Sequence, residues 1–378
     1  MKVSKQPAPN KRVLTLISLR LRDKHAAELN RQARAVNFVW NYCNEMQQKA
    51  VKDGRRWLSS GDLQKLTAGA GSLLDIHSHT IQHVCKRYDI NKKTSKKPWL
   101  RFRGKKSLGW VPFDQQSVKF NGKTFKFRGV HYETMHMRSF PEKSLIRGGT
   151  FSQDGLGRWY INFPIEVTPD KHPDNTGRVI GIDLGLSTLA TLSTGEKYEA
   201  PQFQRRLEKK RGAAQRANKR RLARKLAIKS ANQRRDYLHK ISFALTAKHR
   251  TIVVGNVSSA KLARTKMAKS VYDAGWSTLR KMLSYKSIRN GGICVEVNEH
   301  YTTQTCSACG ALPEGRPTGI AGLEIRQWEC GGCGAIHDRD VNAALNIVRL
   351  GLETLDAGAA QMRSGQLWSF FPEENVRA

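Results

Sequence analysis

Two Cys-x-x-Cys pairs, Cys306/Cys309 and Cys330/Cys333, stand just ahead of a run, HDRDVNAALNI, that carries Asp338 and Asp340. The pairs are separated by 20 intervening residues, and a glycine (Gly310, Gly334) follows each, freeing the backbone to turn toward a metal. This is zinc-ribbon spacing. Four thiolates leave a tetrahedral ion no open position, so the zinc is expected to be structural. The stretch GIDLG places a further acid, Asp183, in an apolar strand between Gly181 and Gly185. A lone carboxylate there is costly to bury unless something cationic lies opposite. Asp338 and Asp340 open a helix, where N-capping is the ordinary use of an acid. Acids converging across a sheet are also what a pair of divalent ions requires to activate water and steady a leaving oxygen.

The elements that would position these groups follow from the pattern along the chain. Residues 1–15 read as one strand, with RVLTLISLRL alternating Val13, Leu16 and Ile17 against polar positions. From about 22 to 92 the period becomes helical, and Leu29, Ala33, Phe38 and Tyr42 fall near one face; Phe38, Trp40 and Tyr42 read as helix core. Residues 91–110 interleave Lys and Arg with Trp99, Phe102 and Trp110, a composition suited to pairing phosphates and stacking bases. Residues 115–167 alternate with period two. SVKFNGKTFKF reads as a hairpin with a type I′ turn at Asn121-Gly122, and a second hairpin is centred on Asp154-Gly155. Together with the first strand they suggest a small β-barrel into which the helical segment is inserted.

From Val179 the grammar is α/β. TIVVGNV and GGICVEVNEH read as buried strands joined through a helix, which makes a βαβ unit and a parallel sheet. Residues 204–250 are a long helical stretch with fifteen Lys or Arg between Arg205 and Lys240 against two acids, Glu208 and Asp236. Like charges at that density oppose a free helix, and a polyanion alongside removes the penalty. The whole chain repeats the bias, with 66 basic against 31 acidic residues among 378, a net +35. The implied partner is nucleic acid. No apolar run approaches the roughly 18 residues that span a bilayer, and no signal-peptide core follows the basic N-terminus, so no membrane partner is expected. The isolated Cys43, Cys85 and Cys294 read as inert core thiols. Residues 352–378 read as a loosely held tail.

GIDLG, the basic helix, YTTQTCSACG, the second Cys-x-x-Cys and DRDVNAALNI, in that order, resemble the nuclease half of the TnpB family, the transposon-encoded RNA-guided nucleases related to type V CRISPR effectors. Upstream, ARAVNFVWNYCNE, DIHSHTIQHV and GRWYINF are similar to that family's recognition lobe and wedge. The resemblance implies an α+β multidomain chain. A wedge β-barrel would take residues 1–20 and 111–175, and a helical recognition domain 21–110. An RNase H-like RuvC domain would take 176–300 and 337–352, a zinc ribbon (target nucleic-acid-binding) insertion 301–336, and a C-terminal tail 353–378. It implies two catalytic Mg2+ beside one structural Zn2+, and RNA-guided cleavage of double-stranded DNA next to a short motif. The guide RNA would derive from the transposon end, one RNA per monomer, in the bacterial cytosol. By position, Asp183 matches the first catalytic acid and Asp340 the last, with Asp338 a cap. Relatives carry a glutamate after the strand written here TIVV, where this chain has Gly255 and Asn256. That departure leaves two readings, a nuclease-inactive guided binder or a relocated glutamate, and a guide-free transposase stands apart as a further alternative for the whole chain. In a parallel sheet the site lies at the carboxyl ends of the strands, which points to Glu299, with Glu296 in reserve, as a magnesium ligand with Asp183 and Asp340.

Overall fold

The computed structural model describes residues 2–3, 13–136, 148–169, 172, 179–257, 268–318, 322 and 324–363. The chain divides into two units, Arg12–Val167 and Met1–Lys11 with Thr168–Ala378. A short strand, β1 (Lys2–Val3), belongs to the second unit, where it pairs antiparallel with Glu296 and Val295. The assignment of all of residues 1–20 to one β-structure is therefore corrected at its start.

In the first unit β2 (Val13–Arg20) leads into α1 (Ala26–Lys52), α2 (Ser60–Leu66), α3 (Ala70–Leu74) and α4 (Ser78–Ser95). α1 buries Leu29, Ala33, Val36, Trp40 and Cys43, steps of three and four residues that form one apolar stripe. Phe38 lies off that stripe and is 60% exposed, so of the expected aromatic core Trp40 alone is fully buried. α2 starts at a capping box in which Ser59 and Asp62 satisfy each other's backbone N–H. Cys43 and Cys85 are buried, their sulfurs 3.8 Å apart between α1 and α4.

Six further strands join β2 in two sheets. They are β3 (Trp110–Phe113), β4 (Val118–Phe120), β5 (Thr124–Phe127), β6 (Val130–Glu133), β7 (Gly149–Gln153) and β8 (Trp159–Val167), ordered with β2 as β2-β8-β7-β3 and β4-β5-β6. β8 alternates buried and half-buried residues along its whole length, the mark of a strand with one face on a core. That core is aromatic, with Phe113, Phe125, Phe127, Phe151 and Phe163 in mutual contact. Among the described residues no closed barrel forms. β3 is an edge strand carrying Pro112, which has no N–H to offer a further partner, and a turn at Gln115–Ser117 re-aims the chain before β4. A single bridge, Leu21 to Thr134, links the two sheets among the described residues. On β2 the expected inward set splits: Ile17 packs on the core in phase with buried Thr15 and Leu19, while Leu16 is 72% exposed. The hairpin turns also differ from expectation. Gly122 takes positive φ while Asn121 instead accepts from the Lys123 and Thr124 N–H groups, and in the second hairpin Gly157, not Gly155, has positive φ. Val13 pairs with Val167, so the first and last residues of this unit's sheet are direct neighbours.

The second unit is built on a six-stranded sheet. Its elements are β9 (Val179–Asp183), β10 (Thr188–Leu192), β11 (Lys197–Glu199), α5 (Phe203–Arg216), α6 (Arg220–Lys248), β12 (Thr251–Gly255), α7 (Ala268–Ala274), α8 (Trp276–Arg289) and β13 (Ile293–Val297). The strand order is β1-β13-β12-β9-β10-β11. β12 runs parallel to both β9 and β13, as the buried runs TIVV and ICVEV require, and all five of its residues are buried. The basic stretch breaks into two helices, α5 and α6, near Asn218, a non-glycine residue at positive φ. Beyond the sheet come the ribbon strands β14 (Gln327–Glu329) and β15 (Ile336–Asp338), and then α9 (Arg339–Arg363). α9 continues past residue 352, so helix replaces the expected tail as far as Arg363. Among the described residues no helix is long and apolar enough to cross a membrane.

Candidate active site

Period-two alternation assigns the faces of the central sheet. Ile180, Ile182, Ile252, Val254 and Cys294 pack with residues of α6 and α8 on one side. Val179, Val253, Val295 and Val297 pack with Ile347 and Leu350 of α9 on the other. Asp183 and Gly255 continue the α9 side by parity, whereas Glu296 shares the opposite face with Cys294. Glu296 lies 3.7 Å from Arg280 in an ion pair there, on the face away from Asp183.

Asp183 ends β9 next to Ile182, which pairs with Val254, so its backbone is level with Gly255. α9 lies directly over this end. A Cβ on Gly181 would come within 2.1 Å of the Ala344 carbonyl, so glycine at 181 is what lets the helix rest on the strand. The first turn of α9 then carries Asp340 to the same end of the sheet. Asp338 is the cap: its Oδ1 accepts from the backbone N–H of Asp340 and Val341, each at 3.0 Å, and its Oδ2 meets Lys197 Nζ at 2.7 Å. The Asp340 carboxylate is held by Arg339 at 3.3 Å and Arg326 at 3.6 Å.

Glu299 comes from the loop just after β13. A Cβ at Gly255 would stand 2.8 Å from Glu299 Oε2 and 3.4 Å from its Cβ, so the glutamate fills the space a side chain at 255 would occupy. The loop is tied down. Thr302 donates to the Glu299 carbonyl through both its N–H and its hydroxyl. Thr302 and Thr305 carbonyls in turn accept from the buried amides of Asn342 and Asn346 on α9, and Asn342 also accepts from the Ser307 N–H. The two asparagines of VNAALNI, four residues apart on one helix face, thus fasten the loop bearing Glu299 to the helix bearing Asp340.

The electrostatics reflect this crowding. Burial, and then the Asp340 and Glu299 carboxylates, push Asp183 up to about 7. Burial also pushes Glu299 up to about 7, opposed by Arg280. Asp183 is thus raised by burial and by two neighbouring carboxylates, Glu299 is raised by burial, and Asp340 carries Arg339 and Arg326; the three offer oxygen donors only, the ligand type that hard divalent cations take.

The four cysteines fit zinc on geometry. Their sulfurs all lie within 4.8 Å of one another. The Cys306–Cys333 and Cys309–Cys330 separations are 3.7 Å, close to the roughly 3.8 Å edge of a tetrahedron with 2.3 Å Zn–S bonds. His337 Nε2 stands 3.1 Å from the Cys306 sulfur, its ring tilted against Trp328, so an imidazole nitrogen lies within hydrogen-bond reach of a candidate zinc ligand. Sequence reasoning missed His337, Lys197, Arg280 and Arg326. The basic groups reach their partners through strand register and loop return, which leave no local signal, though His337 stands openly between the ribbon and Asp338.

Comparison with known proteins fits this arrangement. A protein of Streptomyces pristinaespiralis named "Putative RNA-guided DNA endonuclease" is 32% identical over 363 residues, covering 89% of this chain and 88% of its own. The chain belongs to the TnpB family. Within it, residues 276–347 match the family described as "Cas12f1-like, TNB domain", and residues 162–266 match "OrfB_IS605: Probable transposase". The Escherichia coli relative InsQ, which bears the same endonuclease name, is 26% identical over 95% of this chain and 97% of its own. A Cas12f1 chain solved with single-guide RNA and target DNA shares the mixed α/β fold at a TM-score of 0.57 and 12% identity, covering 89% of this chain and 99% of that one. The six-stranded sheet, the cysteine cluster and the carboxylates just described lie within the unit that holds residues 276–347 and all of 162–266 from Thr168 on.

Proposed function

We propose that this chain is an RNA-guided DNA endonuclease that hydrolyses phosphodiesters at an RNase H-like, RuvC-type site formed by Asp183, Glu299 and Asp340. The observation that carries the reading is the Glu299 carboxylate standing in the side-chain space of Gly255, on the α9 face of the sheet beside Asp183. The glutamate relatives carry after this strand is thereby replaced from the next strand end. A nuclease-inactive binder would have no use for two acids buried at this cost beside a third.

Two magnesium ions, when bound, would activate the attacking water and stabilise the departing oxygen. The chain's own residues do the rest. Asp183 supplies a carboxylate from the rigid end of β9, Glu299 one from a loop pinned by Thr302, and Asp340 one from the first turn of α9. Arg339 and Arg326 neutralise Asp340 and sit where a DNA phosphate would approach. Lys197 fixes Asp338 and so the start of α9. The zinc-holding ribbon, whose exit is α9 itself, would contact target nucleic acid, while α5 and α6 would lie along RNA or heteroduplex phosphates.

The test is plasmid cleavage by the chain co-expressed with RNA from its flanking transposon end, in magnesium and in EDTA. Asp183→Ala, Glu299→Ala and Asp340→Ala should each abolish cutting, and Glu296→Ala should not. Adding Gly255→Glu to Glu299→Ala should restore part of the activity. Full cleavage by Glu299→Ala would refute the relocated glutamate. Guided binding without cleavage by the wild type would make the chain a binder.

A further inference from the structure

The unit that carries none of the candidate carboxylates, residues 12–167, holds an open cavity of about 740 Å3 lined by Trp40, Asn91, Phe102, Arg103 and Lys106 among others. One wall is the stretch LRFRGKKS, residues 100–107, which has no regular secondary structure yet is docked on α1 at four points. Asn44 Oδ1 accepts from the Leu100 N–H at 2.8 Å, and Trp40 Nε1 donates to the Arg101 carbonyl at 3.2 Å. Asn41 both accepts from the Arg103 N–H and donates to its carbonyl, at 2.7 and 2.9 Å. An amide side chain matching a backbone donor and acceptor at once fixes the segment like a ladder rung. The stretch is a preformed surface.

Arg103 is the centre of it. Its guanidinium lies 5.9 Å from the Trp40 ring and 5.7 Å from the Trp110 ring, propped between the two indoles. Its other partners are neutral, the Asn37 amide oxygen and the Leu108 carbonyl. Burial disfavours the charge, and among the described residues no carboxylate pairs with it to offset the cost. A half-buried fork of donors, stiffened by rings and lacking a counter-anion, is matched by a phosphate. Next to it Phe102 turns its ring outward, 48% exposed, and Arg101 and Lys106 keep the rim positive.

We propose that this cavity binds one nucleotide of a single strand, its phosphate on Arg103 and Lys106 and its base stacked on Phe102. The chemistry is shared by an RNA guide and by an unpaired DNA strand. The inference rests on the nucleic-acid part of the proposed function and not on cleavage, so a chain that failed to cut would still bind here.

The test is photo-crosslinking of the full chain in two arms, a short oligouridylate with one 5-iodouridine and an oligothymidylate with one 5-iododeoxyuridine, with adducts mapped by mass spectrometry. An adduct on Phe102 is expected. Its yield should fall about fivefold in Arg103→Gln, the loss of roughly 1 kcal/mol of phosphate contact, although the ring itself is untouched. Lys106→Ala, at an exposed site that bears no fold contact, should lower the yield in the same direction and covers the case in which Arg103→Gln does not fold. Stronger labelling in the first arm assigns the site to RNA, and in the second to DNA. No adduct within residues 99–107 in either arm, or yields unchanged in both variants, overturns the proposal.

Discussion

Replacing Glu299 by glutamine keeps the shape of the side chain and removes one of the charges that crowd the site, and the result should be legible in stability before any substrate is added. In the metal-free chain burial lifts Glu299 from 4.5 to about 7. A carboxyl whose pKa is higher in the folded chain than in the unfolded one holds its proton more tightly when folded. It therefore adds stability that is complete below about pH 4.5 and is lost as pH rises through about 7. At 1.36 kcal/mol per pH unit the span from 4.5 to about 7 corresponds to about 3 kcal/mol. Residual solvent access makes that a ceiling, and about 1–2 kcal/mol is expected. For a unit of this size that is a fall of about 2–8 °C in melting temperature. The assay is thermal unfolding from pH 5 to 8 in magnesium-free buffer with zinc retained. The wild type should lose more stability over this range than Glu299→Gln, and the difference between them should grow toward pH 8. Magnesium at pH 8 should return most of the loss to the wild type and less to the variant. Parallel curves for the two proteins, with equal gains from magnesium, would refute the placement of Glu299 in a buried, metal-accepting cluster.

Gly255→Ala would place a methyl group 2.8 Å from the Glu299 carboxylate, the movable end of a side chain, so melting should shift by less than about 1 kcal/mol while cleavage in the plasmid assay falls at least about tenfold. Gly181→Ala meets backbone instead, the Ala344 carbonyl at 2.1 Å, and should cost about 1–3 kcal/mol in denaturant unfolding as α9 lifts from β9. Cys330→Ser should release the zinc, measured as metal per chain by mass spectrometry, and lower cleavage by loosening the ribbon that leads into α9, with the sheet itself still folded by circular dichroism.

What could be read from the chain beforehand was whatever depends on neighbours in sequence. The cysteine spacing fixed four ligands whose sulfurs do converge, and the apolar runs at Thr251 and Ile293 fixed two parallel strands. The rule that a parallel sheet gathers its site at the carboxyl ends of the strands was what favoured Glu299 over Glu296, which lies inside the strand and shares the opposite face with Cys294. Barrel closure was not readable, since it requires edges far apart in sequence to pair, and Pro112 at the edge together with the turn at Gln115–Ser117 prevents it. The face of β2 was misjudged at Leu16 because a run of VLTLISL satisfies period two in either phase. The continuation of α9 to Arg363 was hidden by the mixed composition beyond Leu352. The arginines on Asp340 and the lysine on Asp338 could not be found from spacing at all.

The pairing of Val13 with Val167 gives the chain a property unrelated to its chemistry. Residues 12–167 leave one unit at Lys11 and return to it at Thr168, and the ends of the excursion lie on adjacent strands about 5 Å apart. A segment that begins and ends at one place acts as a cassette. It can be lengthened, exchanged or cut out and bridged by a short linker without changing the path of β9, β12 and β13. Synthesis imposes the opposite order on assembly: β1 emerges first but has no partner until β13 has been made, so the inserted unit is complete while the sheet that surrounds it in sequence is still waiting for its far half.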